Sequence, residues 1–398
     1  MEKKQNKGAS KRSTMTINGR VSMSRRHYHS KDGGTETPSD KLLDAMEQTI
    51  SQATRDLCVK INHDARGFTT VHENLKSAAQ IDLSKETIRQ VVEADGKLAV
   101  AMIKSGELQP DFKATDCKNE KGESVIYGSV DGFMAPTVTD AEKQARRKQT
   151  IKKRQSKKES EGQNARPQRP LPSVKTGTDG RYKEFKATIF FTHDMEHKQV
   201  SVTRGDCEAA GIMMLRDAGR LDYKHADHRI ALIDGGPWII NQIQKRNLKT
   251  TAIGLDFYHL MDNVRKTRRI VFGEENPAGE KWVSDLMHKV KHENFEALHE
   301  ELLTLRQKYR GNKRREIDRL IAYASDRRTM IHYAEFIKKG WHIGTGAMES
   351  QCRITPDRVK GSGKRWDPDN AEGIMALETL QQNGQMKAFR QLAMAGNS

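Results

Sequence analysis

Two short apolar runs, SVIYGSVDG (Ser124–Gly132) and HRIALIDGG (His228–Gly236), each reach an aspartate followed by glycine, and no other feature constrains the fold as strongly. Short apolar runs rich in Val and Ile, bounded by glycine, read as buried strands. In the first, a period of two puts Val125, Tyr127, Ser129 and Asp131 on one side. Around them, EFKATIFFTH and KQVSVTRGD read as an antiparallel pair and CEAAGIMMLRDAGRL as a helix. TTAIGLDFYHLMDNVRKTRRIVFG reads as a strand entering a helix that carries Asp256, Tyr258, His259 and Asp262. Strands alternating with helices predict an α/β fold whose chemistry sits at the strand ends.

A third carboxylate, Glu349, stands in GTGAMESQC (Gly344–Cys352), at the start of a predicted short helix after a glycine-rich turn. If the two aspartate-ending strands are neighbours and this helix crosses their edge, Asp131, Asp234 and Glu349 converge. Three carboxylates repel one another unless cations sit among them. Magnesium prefers oxygen ligands, keeps several waters and completes its octahedron with substrate phosphate. Two such ions roughly 3.5 to 4 Å apart stabilise both the attacking and the leaving oxygen of a displacement at phosphorus. The residues therefore point to phosphodiester chemistry with two Mg2+ ions, for which Mn2+ can substitute. Each residue also has a plainer reading: Asp-Gly is a common turn dipeptide, and Glu349 lies four residues before Arg353, an ordinary helix pair.

Seventy Lys and Arg against fifty-three Asp and Glu leave a net charge of +17, which favours a polyanionic partner, nucleic acid above all. Cys58, Cys117, Cys207 and Cys352 are scattered without a C-x-x-C pair, which argues against a disulfide framework or zinc knuckle. No run approaches the roughly 18 apolar residues of a membrane span, and the first residues lack a signal-peptide core. A protein of the cytoplasm or nucleoid, without a membrane partner, is expected.

Residues 1–13 read as a basic, disordered tail, and the alternation around Asn18-Gly19 as a small hairpin. From Ser39, Leu42, Leu43, Met46, Ile50, Ala53 and Leu57 recur at helical spacing. Two further helices follow, the second capped by Ser84, either as a helix-turn-helix or as a plain helical hairpin; in the first case Lys85, Arg89 and Lys97 are backbone contacts. Residues 141–180, lysine- and arginine-rich and ending in prolines, show no hydrophobic period and read as a flexible basic insertion. It is either a solvated linker or a phosphate-tracking arm using Lys152, Lys153 and Arg154. A long helical region then carries Trp282, Leu286, Val290, Phe295, Leu298, Leu302 and Leu305 on one stripe.

In order and spacing, YGSVDGFMAPTVTDAE, VSVTRGDCEAAG, ALIDGGPWI, LDFYHLMDNVRK and GTGAMESQCRI with RVKGSGKRW resemble the ISKra-type insertion-sequence transposases, from about Ser124 to Leu380. The resemblance implies an RNase H-like DDE core with Asp131, Asp234 and Glu349 as catalytic metal ligands. It further implies cleavage at transposon ends and joining to target DNA, without a covalent protein intermediate, by a homodimer or higher multimer on DNA. Gly235, Trp238, Tyr258 and His259 fall in its motifs and either line the site or pack. Arg353, Lys360, Lys364, Arg365 and Trp366 would hold DNA beside the glutamate, with Trp366 either stacking on a base or buried. The chain departs from its relatives at RRHYHSKDGG, which lacks their cysteine-based module, and at Lys364, where methionine is common.

The expected fold class is therefore α/β: an RNase H-like mixed sheet flanked by helices, with an all-helical insertion before the glutamate and an N-terminal helical, helix-turn-helix-like DNA-binding region. The expected units are 14–120 (hairpin and DNA-binding helices), 121–275 (first part of the core), 276–340 (helical insertion) and 341–398 (core completion). An RNase H-like nuclease that does not join strands, and a domesticated DNA-binding protein, are the alternatives.

Overall fold

The computed structural model describes residues 4–31, 33–38, 49–161, 171, 182–361, 364 and 366–395. The chain opens with β1 (Gln5–Thr16) and β2 (Gly19–Ser30), an antiparallel hairpin that turns at Asn18-Gly19 with Gly19 at φ 99°; β3 (Gly34–Glu36) pairs along β2. The turn lies where the sequence puts it. The expected disordered tail, however, is from Gln5 onward one strand of this hairpin. Gln5–Lys11 is exposed on both faces, so no apolar period marks it, and the ladder with β2 satisfies its backbone.

Three helices follow: α1 (Gln52–Asp64), α2 (Phe68–Ala79) and α3 (Lys85–Ser105). Ser84 caps α3, its Oγ accepting from the Thr87 N–H at 3.1 Å, an interaction worth about 1 kcal/mol. Leu42, Leu43 and Met46 lie outside the described residues.

The rest of the chain alternates strands and helices: β4 (Val125–Pro136), α4 (Asp140–Glu161), β5 (Tyr182–Thr192), β6 (Lys198–Thr203), α5 (Cys207–Arg220), β7 (His228–Ile233), α6 (Pro237–Lys245), β8 (Ala252–Leu255) and α7 (Phe257–Phe272). A helical stretch follows, with α8 (Pro277–Lys308), α9 (Gly311–Ser325) and α10 (Tyr333–Lys338). The chain ends with α11 (Gly346–Ile354), α12 (Asp357–Lys360), α13 (Pro368–Gln382) and α14 (Met386–Ala395).

Strands β4 to β8 form one mixed sheet in the order β6-β5-β4-β7-β8. Strand β5 is antiparallel to β4 and β6, whereas β7 and β8 run parallel to β4. The period of two sorts its side chains. Val125, Tyr127, Phe133 and Ala135 join the core that holds α3, α11 and α13, while Ile126 and Val130 join the core of α5 to α9 on the other face. The molecule is thus a mixed α/β fold with helices on both sides of the sheet. Among the described residues no helix is long and apolar enough to cross a membrane.

Residues 141–161 of the supposed flexible insertion are helical: α4 runs for 22 residues. A capping box starts it, Thr139 Oγ1 accepting from the Glu142 N–H at 3.2 Å and Glu142 Oε2 accepting from the Thr139 N–H at 2.7 Å. Strong helix formers then carry it without an apolar face. Residues 162–170 and 172–181 lie outside the described residues.

Where α3 crosses α13, Gly96 and Gly373 bring the two backbones into contact. A Cβ on Gly373 would lie 2.9 Å from the Gly96 carbonyl carbon, and one on Gly96 would lie 2.8 Å from that of Gly373. Backbone cannot swing aside as a flexible side chain can. Gly373→Ala is expected to destabilise the protein by about 2 to 3 kcal/mol, read as a lowered urea midpoint; an unchanged midpoint would show the crossing to be adjustable.

Candidate active site

Strand β4 outruns its parallel neighbour. Val125 to Gly128 pair with His228 to Ala231, β7 stops at Ile233, and β4 continues to Pro136 against β5. Carried forward three residues, that register sets Asp131 level with Asp234. On the far side Ile230 to Ile233 pair with Ala252 to Leu255, which sets Asp234 level with Asp256, whose N–H donates to the Ile233 carbonyl at 2.7 Å. Three aspartates therefore stand in one row across three parallel strands, at the carboxyl edge where such sheets bind ligands. Asp131 lies within its strand rather than at the end the sequence suggests, so it is not a turn residue.

The half-buried Asp131 accepts from the Gly132 N–H at 2.6 Å. Burial pushes its carboxyl up, the charge of Asp234 adds to that, and His259 and Lys186 oppose it. Asp234 accepts from the Gly236 N–H at 2.7 Å, an Asx turn that leads into α6. Glu349 occupies the first turn of α11, its side chain 57% exposed. Its nearest ion partner is His259, whose Nδ1 is 4.0 Å from Glu349 Oε1, rather than Arg353. One turn further along α11, Cys352 Sγ is 3.9 Å from Asp131 Oδ2, so this helix spans from Asp131 to His259. The ring of His259 is the common neighbour: hydrogen bonding to Asp256 raises its pKa to about 9 against the opposing effect of burial, and the charges of Asp256, Asp234 and Glu349 add to the rise. An imidazolium thus supplies positive charge amid these carboxylates.

Residue pattern alone assigns Asp256 no role. Its carboxylate is fully buried and accepts four hydrogen bonds: from His259 N–H at 2.6 Å, from the His259 ring at 3.2 Å, from Thr345 Oγ1 at 2.6 Å and from the Thr345 N–H. Burial alone pushes this carboxyl up, but the bonds from His259 and Thr345 outweigh it and bring it down to about 2. Thr345 is the N-cap of α11, and its carbonyl accepts from the Glu349 N–H at 3.0 Å. Asp256 therefore ties the start of α7 to the start of the glutamate's helix. The signal was its place as an N-cap directly after a strand.

Ligand-capable atoms of Asp256, His259 and Glu349 lie within 4.8 Å of one another. Asp256 has its oxygens committed to donors, and Mg2+ prefers oxygen ligands to an imidazole nitrogen. Among the described residues the ligand-capable atoms of Asp131, Asp234 and Glu349 do not all lie within that distance of one another; as carboxylates they are the hard donors that suit Mg2+.

The other expected site residues divide. Tyr258 is exposed, and Gly344 lets its ring lie on the turn before α11. Gly235, at φ 84°, turns its carbonyl to Arg327, which donates from Nη2 at 2.8 Å; it docks an arginine rather than lining the site. Trp238 carries the Lys186 ammonium 4.4 Å from its ring centroid. Arg353 is exposed on α11, and Lys152 and Lys153 are exposed on α4, with Arg154 half-buried. Lys360 lies 5.3 Å from the Phe133 ring centroid. Lys364 donates to the Arg358 carbonyl at 2.6 Å and is brought down to about 8 by burial, so its ammonium serves the fold. Arg365 lies outside the described residues. Trp366, offered as a stacking platform, is only 4% exposed, packed edge-on against Phe68 with the Arg358 guanidinium 5.5 Å from its ring. It is a core residue because the chain beside it bridges to Thr137 of the β4 edge. Compared with known proteins, the chain matches no family model and no curated sequence.

Proposed function

We propose that this chain is a Mg2+-dependent DDE-type DNA transposase with an RNase H-like core, similar to the ISKra-type enzymes, which cuts the ends of an insertion sequence and joins them to target DNA. The observation that carries the reading is the strand register that sets Asp131 level with Asp234, with Glu349 on a helix that reaches from Asp131 to His259. The strand order β6-β5-β4-β7-β8, three antiparallel strands followed by two parallel to the first, supports an RNase H-like sheet. The helical stretch from Pro277 to Lys338 supports an insertion before the glutamate.

Bound at these carboxylates, two Mg2+ ions would activate the attacking hydroxyl and stabilise the leaving oxygen of an in-line displacement. Asp131, on a central strand, supplies a rigid ligand, whereas Glu349, exposed on a short helix, supplies one that can adjust. Asp256 and Thr345 hold that helix in place, and exposed Arg353 and the lysines of α4 face the backbone of the DNA. The test is incubation of the protein with duplexes bearing its own element's terminal sequences in Mg2+, Mn2+ or EDTA, with the cut strands mapped. Metal-dependent nicking at the ends together with joined products supports the transposase; cutting without joining would leave a nuclease, and no cutting in either metal would refute both.

Two exposed lysines on α4 give a separate expectation. Lys152→Ala with Lys153→Ala should weaken binding to all sequences alike and reduce the slope of log affinity against log salt by about 2, at about 0.9 per phosphate contact. An unchanged slope in a salt titration would make α4 a spacer.

A further inference from the structure

The β1–β2 ribbon covers little. From Lys4 to Lys31 the chain has eight Lys and Arg and no Asp or Glu. Thr14 and Met15 are buried next to its turn, where the Met15 N–H donates to the Thr49 carbonyl at 2.8 Å and the Ser51 N–H to the Met15 carbonyl at 2.9 Å. Beyond that anchor β3 pairs along Tyr28–Ser30 of β2, and Lys4 meets Glu36 at 2.6 Å. Strands of twelve residues thus keep much of one face open to solvent.

The register shows which face would meet it. Ala9 opposes Arg26, Lys11 opposes Ser24, Ser13 opposes Ser22 and Met15 opposes Arg20, so these side chains share a face. On this face Ala9, Lys11, Arg20, Ser22, Ser24 and Arg26 are exposed, Ser13 is half-buried and Met15 is buried next to the turn, whereas Arg12, Met23, Arg25 and His27 on the opposite face are half-buried. The exposed face thus combines three cations with small residues that keep the backbone low. Twelve residues at about 3.3 Å span about 40 Å. The B-form major groove, about 12 Å wide, admits a two-stranded ribbon, where arginine reads guanine and serine hydroxyls reach any base edge.

We propose that this face of the ribbon lies in the major groove of duplex DNA, with Lys11, Arg20 and Arg26 contacting phosphates and guanines and Ser22 and Ser24 facing the base edges. The proposal rests on DNA being the substrate, as argued above. An A-form RNA duplex does not fit, because its major groove is too deep and narrow for side chains to read.

The test compares the full chain with its Lys11→Ala, Arg20→Ala, Arg26→Ala variant by fluorescence anisotropy on a mixed-sequence 30-base-pair DNA duplex and on the matching RNA duplex, across a salt series. The variant should bind DNA at least tenfold more weakly at 0.15 M salt, with a slope lower by about 2 to 3, while RNA binding stays within twofold. Guanine N7 methylation, which blocks the major groove, should weaken wild-type binding and leave the variant unaffected. A Lys11→Arg, Arg20→Lys, Arg26→Lys variant keeps the charges and should keep the slope, and its unfolding midpoint checks that the hairpin is intact. Equal losses on DNA and RNA would overturn groove binding in favour of a generic polyanion patch, and an unchanged DNA slope would remove the ribbon from the interface. Failure of the wild type to bind duplex DNA at all would instead overturn the functional reading on which the proposal stands.

Discussion

Replacing Asp131, Asp234 or Glu349 with alanine is expected to lower metal-supported strand cleavage by roughly a thousandfold or more, while affinity for duplex DNA stays within a few-fold. A thousandfold corresponds to about 4 kcal/mol of transition-state stabilisation, a reasonable loss when one ligand of a two-ion centre is removed. DNA affinity should survive because, on the proposed reading, most of it comes from the cations of the ribbon and of α4. Glu349→Gln is the cleanest of the set: its side chain is 57% exposed, so thermal stability should not move. Asp131 is half-buried with its carboxyl already pushed up, so Asp131→Asn should hold or slightly raise the melting temperature while activity collapses. Near wild-type cleavage by any one of the three variants would remove that residue from the centre.

Asp256→Ala is expected to cost about 3 kcal/mol of stability, because it leaves the Thr345 N–H and hydroxyl and the His259 N–H without their buried acceptor. Asp256→Asn keeps one acceptor oxygen, for either the His259 pair or the Thr345 pair of donors, and loses the charge, so it should fall between that variant and wild type in urea unfolding. The pH dependence has a definite sign. The folded carboxyl titrates at about 2, below the roughly 3.9 of an unfolded aspartate, so its stabilisation is fully present above about pH 4 and disappears as pH falls towards 2. The contribution present at neutral pH and lost in acid is about 2 to 3 kcal/mol. Metal-free wild type should therefore lose stability over that window more steeply than Asp256→Asn; parallel curves would show that the carboxylate is not ionised in the fold.

Where a strand is buried on both faces, its apolar run disclosed it. Val125 to Asp131 and His228 to Asp234 were legible because one core lies on each side of the sheet, and Ser84 because a cap is a local device. Three other features obeyed rules that hydrophobic pattern does not encode. The first half of strand β1, residues 5–11, is bare on both faces and so carries no period. Helix α4 is likewise bare, although its Thr139–Glu142 box could have been read directly. The roles of Asp256 and Trp366 depend on partners far along the chain, Thr345 in one case and Phe68 in the other, and no local window contains them.

Arg358 gives the N-terminal helices a fixed place. Its guanidinium donates to Asn62 Oδ1 at 2.9 and 3.1 Å while lying over Phe68 and Trp366, and a little way off the Gly96–Gly373 crossing joins the same two parts of the chain. The helices before β4 are therefore not a cassette that recombination could swap for another module: removing them would strip the inner wall from α13 and, with it, the support beneath the segment that carries the glutamate.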